Sequence, residues 1–197
     1  MKRFLKLLLW IFLLFFILFN FISATNAYKF THFYNPGEVI IKPENQKTSW
    51  DKISDIIFGK DYLKKQNVPL PDSFSTVIFT TKDKIKLEGW YCPAKNAVGS
   101  VALFHGYGDN KTKVLEEGKA FLNMGYNILL LDFRAHGNSK GHTCTIGYDE
   151  AVDENLAFDF LITKGEHKSF LWGISMGVGT IGPCVYEYDF QQTKGYL

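Results

Sequence analysis

The sequence predicts an α/β fold, a mostly parallel sheet with helices on both faces, set behind a separate apolar segment at the N-terminus. Three apolar runs carry the first half of that expectation: "SVALFHG" (100–106), "YNILLLDF" (126–133) and "SFLWGIS" (169–175). They are continuous rather than alternating, the pattern of strands covered on both faces. Two segments of helical spacing lie between them, "KTKVLEEGKAFLNMG" (111–125) and "YDEAVDENLAFDFLI" (148–162). Strand–helix–strand–helix–strand is the order of a parallel sheet with right-handed crossovers.

Residues 1–27 read as a signal anchor or signal peptide. Lys2, Arg3 and Lys6 precede an unbroken apolar run from Leu7 to Phe19, which widens to Phe4–Ile22 if Lys6 snorkels. At ~1.5 Å per residue this is roughly 20 to 28 Å, between a signal-peptide core and a short membrane span. Thr25 and Ala27 offer a small-residue cleavage site, whereas the length and bulk of the run favour retention as an anchor. Either way, the cationic flank stays inside and the rest of the chain is expected outside the cytoplasm, membrane-anchored or secreted.

Residues 28–72 read as a connector with one amphipathic helix. "TSWDKISDIIFG" (48–59) places Trp50, Ile53, Ile56 and Ile57 on one stripe, opens with a capping-box pair at Thr48 and Asp51, and stops at Gly59. The stripe predicts packing on the domain, with the membrane surface as the other place for it. "NVPLPDS" then breaks regular structure. From residue 73 a domain begins. "FSTVIFTT" and "IKLEGWYC" form an expected hairpin turned at Lys82–Lys84. The first crossover helix should turn Val114, Gly118, Phe121 and Leu122 inward and end at Gly125. The second should turn Val152, Leu156 and Phe160 inward and leave Glu150, Asp153 and Glu154 as a solvated acidic start.

Composition excludes some functions. A formal net charge of +2 with no basic stripe gives nucleic-acid binding no footing. Cys92, Cys144 and Cys184 lack metal-ligand spacing and read as small buried or free side chains, although a Cys92–Cys144 disulfide is open. No ligand spacing supports a metal site from Asp132, His136 and His142, so no metal and no cofactor are expected.

In such a sheet, ligands bind beyond the carboxyl ends of the strands. Three motifs fall there: "HGYGDN" (105–110), "DFRAHGNS" (132–139) and "GISMG" (173–177). A serine at a sharp strand-to-helix turn takes strained backbone angles, and its neighbours two places away approach each other closely. Glycines at 173 and 177 fit that demand, and the serine hydroxyl then stands clear of the sheet at a helix N-terminus.

With these three motifs in this order, residues 74–197 resemble the α/β-hydrolase superfamily, most of all its monoacylglycerol-lipase-like and serine-aminopeptidase-like branch. The resemblance implies Ser175 as nucleophile. It implies the backbone N–H groups of Met176 and Tyr107 as the oxyanion hole, with His105, Gly106, Gly173 and Gly177 in support. Asp132, Arg134, His136 and Gly137 match a structural turn of the family. In the family the acid and the histidine follow the nucleophile. Here His32, His105, His136, His142 and His167 all precede Ser175, and only Glu187 and Asp189 follow it as acids. The triad acid and histidine are therefore not found in this chain, which reads as the N-terminal part (73–197) of a hydrolase domain cut before them, and inactive as such. The implied substrate is a small-molecule ester, lipid or peptide, cleaved through an acyl-enzyme. An acyltransferase using the same serine and a non-catalytic membrane-tethered binding protein are the alternatives.

Overall fold

The computed structural model describes residues 2–164 and 168–187 and divides into two compact units, Met1–Leu63 and Lys64–Leu197. His167 and Asp189 lie outside the described residues.

The first unit opens with helix α1 (Lys2–Thr31), none of whose side chains is buried. Its apolar part is long and hydrophobic enough to cross a membrane. A two-residue parallel pair follows, β1 (Phe33–Tyr34) with β2 (Tyr62–Leu63). Helix α2 (Ser49–Phe58) lies between them. Its ends are built as the sequence predicts. The Thr48 side chain accepts from the Asp51 N–H while Asp51 accepts from the Thr48 N–H, and Gly59 closes the helix at φ +80°. The last-turn carbonyls of α2, which have no intrahelical donor, accept from α1: Thr25 Oγ1 donates to Ile57 O (2.7 Å) and Asn26 Nδ2 to Ile56 O (3.0 Å). Within the first unit the apolar stripe is divided. Phe58 and the partly buried Ile57 meet α1, while Trp50, Ile53 and Ile56 stay exposed.

The second unit holds a five-stranded sheet in the order β3-β4-β6-β5-β7. Strands β3 (Ser75–Thr80) and β4 (Lys86–Cys92) are the expected hairpin, with Ser75 opposite Tyr91 and Thr80 opposite Lys86. Strands β5 (Gly99–Phe104), β6 (Tyr126–Leu131) and β7 (Ser169–Gly173) are the three apolar runs and pair in parallel. Strand β4 joins them antiparallel through β6.

The pleat divides the core into two layers. Trp90, Cys92, Val101, Leu103, Ile128 and Leu130 face α3 (Leu115–Asn123), where Val114, Leu115, Phe121 and Leu122 meet them. Gly118 lets α3 close on β6, because a Cβ there would come within 3.0 Å of Leu130 Cδ2. The opposite set, Leu87, Ala102, Phe104, Leu129 and Leu131, is buried on the side of α4 (Glu150–Thr163), where Ala157, Phe158 and Leu161 are buried too. Helix α5 (Met176–Glu187) packs on α4. It contains Gly177, Gly179, Gly182 and Pro183, a poor helix by propensity. Met176, Thr180 and Cys184 are its buried side chains, while Val178, Val185 and Tyr186 are exposed.

Two expectations are corrected here. On α4 the acids point inward: Glu150, Asp153 and Glu154 are fully buried, whereas Val152, Leu156 and Phe160 are only partly so. Each acid has a buried partner, described below, and Phe160 instead stacks edge-on against Phe79 and Tyr91 at the sheet's rim. Cys92, Cys144 and Cys184 are all buried and free, so no Cys92–Cys144 disulfide forms.

Candidate active site

Strands β5 and β7 are neighbours, with Phe104 opposite Gly173. The helices that follow them, α3 and α5, lie on opposite faces of the sheet. Adjacent strands whose connections part in this way leave a crevice at their carboxyl ends. The His105–Asn110 loop and the Gly173–Gly177 turn flank it.

The turn is strained and tightly held. Ser175 has φ +52°, in the left-handed region that costs an L-residue roughly 1–2 kcal/mol. The Ile174 N–H donates to Phe104 O (3.1 Å), tying the turn to β5, and the Gly177 N–H donates back to Ile174 O (3.0 Å). No other residue fits at the flanking glycines. A Cβ on Gly173 would lie 2.5 Å from the Gly177 carbonyl carbon, and one on Gly177 would lie 2.7 Å from Phe104 O. The two glycines thus serve different contacts: Gly173 makes room for Gly177, and Gly177 makes room for the end of β5. Ser175 itself is exposed. Its hydroxyl makes no hydrogen bond among the described residues.

Gly106 presses the neighbouring loop against this serine, since a Cβ there would sit 3.3 Å from Ser175 Cβ and 3.8 Å from its Oγ. Within that loop His105 Nε2 accepts from the Phe133 N–H (3.2 Å), so Nδ1 carries the proton and donates to Gly106 O (2.8 Å). The Asp109 N–H also donates to Gly106 O (3.2 Å). His136 is held alike: Nε2 accepts from the Gly108 N–H (3.0 Å) and Nδ1 donates to Arg134 O (2.8 Å). Burial lowers the pKa of both rings, that of His136 to about 3 with His105 adding to the effect. Both imidazoles are neutral struts with both nitrogens committed to the backbone. Tyr107, half-buried between them and the crevice, meets the His136 ring edge-on at 6.3 Å.

Behind the loop sits a polar hub that sequence reading missed. Lys111 is fully buried over the face of Trp90 (4.6 Å), with its ammonium on Asp132 (2.5 Å) and Glu88 (2.9 Å). Asp132 also accepts from the Lys111 N–H (2.7 Å), Asn67 Nδ2 (2.7 Å) and the Asn138 N–H (2.9 Å). Gly137 is required beside it, because a Cβ there would lie 2.2 Å from Asp132 Oδ2. Arg134 makes a two-pronged pair with buried Asp153, whose carboxyl burial pushes up to about 6 while the guanidinium opposes the rise. Glu150 collects the Thr145 N–H and hydroxyl and the Gly147 N–H. A buried lysine surrounded by acids leaves no sequence signal, because lysine is expected in water.

The start of α5 is likewise braced from below. Thr180 Oγ1 lies on Gly177 O (2.9 Å) and Met176 O (3.3 Å) and bonds to Glu154 Oε1. Glu154 Oε2 has no partner among the described residues, and burial raises the carboxyl pKa to about 8, so the group is mostly protonated at neutral pH. Cys144 Sγ touches Met176 Sδ at 3.7 Å. Burial and then the Glu150 carboxylate push its thiol up to about 12, which leaves too little thiolate for a nucleophile. Among the described residues no cluster of His, Cys, Asp or Glu could hold a metal ion.

The sheet order, the strained serine turn and the crevice it faces are those of the α/β-hydrolase fold, and the chain is similar to members of that superfamily. Within it, residues 95–190 match the family model of serine aminopeptidase, S33. The chain is 30% identical over 145 residues to the Bacillus subtilis protein YqkD, itself described only as uncharacterized, covering 73% of this chain and 43% of that one. The Pyrococcus furiosus esterase Pf2001 superposes with a TM-score of 0.51 at 29% identity, covering 61% of this chain and 51% of that one. The Penicillium α/β hydrolase GrgF shares the fold with a TM-score of 0.54 at 24% identity, over 58% and 42% of the two chains. The chain spans about half the length of the curated relatives it matches.

Proposed function

We propose that this chain forms the nucleophile-bearing part of a serine hydrolase, with Ser175 as the attacking group. One observation carries the reading: an exposed serine held at φ +52° between glycines that nothing larger could replace, facing a loop glycine across the switch point of the sheet. Strain of this kind persists only where the surrounding structure enforces it, and it clusters at functional sites.

In the proposed reaction Ser175 Oγ adds to an acyl carbon, and the carbonyl oxygen takes up the negative charge. The Met176 N–H, first in α5, and the Tyr107 N–H are the donors assigned to that oxyanion. Each such donor contributes about 3–4 kcal/mol to barrier lowering. Collapse expels an alcohol or amine and leaves an ester on Ser175, which water then cleaves. Taking the serine proton requires a base. His105 and His136 are unsuited, being neutral with both ring nitrogens engaged by backbone. The resemblance assigns the base to a histidine following the nucleophile in the full-length protein. The substrate class is an acyl compound: a small-molecule ester, a lipid or a peptide.

A fluorophosphonate probe should label the full-length gene product, and Ser175→Ala should abolish the labelling. Undiminished labelling of that variant would remove Ser175 from the role. We also propose that α1 anchors the protein in a membrane with the hydrolase unit outside the cytoplasm, on the strength of Lys2, Arg3 and Lys6 at its start. Alkaline phosphatase fused after Leu63 should then be active, and an inactive fusion would refute the orientation.

A further inference from the structure

Beside the long apolar helix α1, the first unit exposes a second apolar surface on α2. Trp50 is 78% exposed, Ile56 68% and Ile53 43%, and these residues recur every third position along one side of the helix. Patches of this kind on a protein mark a surface that something covers.

Three observations say what covers this one. The first is depth. Phe58, at the C-terminal end of α2, packs edge-on against Phe21 of α1 at 6.2 Å, and the last carbonyls of α2 accept from Thr25 and Asn26. Those α1 residues close the apolar stretch Phe4–Ile22, whose length at ~1.5 Å per residue is close to the ~30 Å thickness of a bilayer's hydrocarbon core. Helix α2 is therefore docked at the level where α1 leaves the hydrocarbon. The second is charge. The two carboxylates of α2 are matched by lysines from the preceding segment, Asp51 by Lys42 (2.8 Å) and Asp55 by Lys47 (2.7 Å), so the helix presents no unpaired acid to a lipid headgroup. The third is residue type. A tryptophan with isoleucines suits the boundary between headgroups and acyl chains, where the indole keeps its N–H wet and its ring dry.

We propose that α2 is an interfacial helix whose Trp50, Ile53 and Ile56 face beds in the lipid surface beside α1. The anchor then has two parts, a span and a foot, and the foot limits how freely the first unit turns about α1. This rests on the reading of α1 as a retained membrane anchor.

The test uses the full-length protein in vesicles of phosphatidylcholine and phosphatidylglycerol. Nitroxide labels are placed singly at Trp50→Cys, Ile53→Cys, Ile56→Cys, Lys52→Cys and, as a reporter of α1, Phe12→Cys. The native cysteines are buried, and the unsubstituted protein measures their residual labelling. These positions on α2 are exposed, so the labels leave the fold in place. At 50, 53 and 56 collisions with oxygen should exceed those with a water-soluble nickel chelate, placing the labels about 5–10 Å below the headgroups. Lys52, on the flank of the stripe beside Ile56, should sit shallower than these three. If Phe12 lies deep while the α2 stripe is open to the chelate, or shielded from both agents by protein, the interfacial helix is overturned and the anchor stands. A Phe12 label outside the bilayer would overturn the anchor, and this inference with it.

Discussion

The loop after β6 and the turn after β7 stand at the same end of the sheet, on either side of the β5 loop, and are built on opposite plans. In the β6 loop every polar side chain from Asp132 to Ser139 is answered. Asp132 takes Lys111, Asn67 and two backbone N–H groups, Arg134 takes Asp153, His136 bridges Gly108 and Arg134, and Ser139 Oγ donates to Asp132 O (2.6 Å). The β7 turn holds a serine in an unfavourable backbone conformation and leaves its hydroxyl without a partner among the described residues. Full satisfaction of buried polar groups is the mark of a structural knot, while backbone strain beside an exposed hydroxyl is the observation on which the proposed nucleophile rests. Two motifs rich in polar residues, equally suggestive as strings, thus separate into a satisfied scaffold and the turn to which the proposed chemistry is assigned.

That contrast can be broken by exchanging the damage. In the full-length protein Ser175→Ala should lower turnover by roughly 10⁴ to 10⁶-fold and shift unfolding free energy by no more than about 1 kcal/mol. Asp132→Ala should do the opposite in kind. It strips Lys111 of its principal partner inside the core, and removing one member of a buried ion pair costs about 3–5 kcal/mol. Urea unfolding with esterase and probe-labelling assays reads both. An Asp132→Ala protein of unchanged stability would show that the hub is not structural.

The three strands, the hairpin, Gly118 under α3, and the ends of α2 were legible because each announces itself locally. An apolar run, a capping pair or a glycine at a forced contact lies within a few residues of its cause. The serine turn was legible for the same reason, its two glycines lying only four positions apart. What escaped was everything set by partners distant in sequence. Arg134 and Asp153 are 19 residues apart, Lys111 and Asp132 are 21, and Thr180 and Glu154 are 26. Read one at a time, Lys111 and the acids of α4 belong in water. Only the fold brings the opposite charges and hydroxyls that let them be buried. The α2 stripe was legible as apolar from its spacing alone.

The acids of α4 also sharpen the comparison, because one of them reaches the β7 turn from beneath. Glu154 is fully buried against Thr180, with its carboxyl pushed up to about 8 from 4.5. Between those values the folded state binds a proton that the unfolded state releases, so stability falls as pH rises through the window and levels off above it. From about pH 5 to pH 7.5 this amounts to about 3 kcal/mol. Glu154→Gln keeps a bond to Thr180 and cannot ionise. Its stability relative to the wild type should therefore climb by about that much over the same interval, measured by urea unfolding at each pH. Parallel pH curves for the two proteins would mean that Glu154 is ionised in its buried site.

The smallest effect isolates the strain itself. Ser175→Ala and Ser175→Gly both delete the hydroxyl, but only glycine accepts φ +52° without a steric penalty. Alanine keeps the left-handed cost of about 1–2 kcal/mol, while glycine releases it and gives back roughly 0.5–1 kcal/mol through the greater freedom of its unfolded chain. The residue is exposed, so little packing is lost in either variant. Ser175→Gly should therefore be the more stable of the two by about 0.5–1 kcal/mol. Ala135 in the β6 loop supplies the control: it too has positive φ, +61°, but its methyl group is fully buried. There the lost packing opposes the relief of strain, so Ala135→Gly should gain less than the Ser175 pair differ by. If glycine is no better than alanine at 175, the turn is not held under strain, and the strongest physical ground for placing the chemistry there is lost.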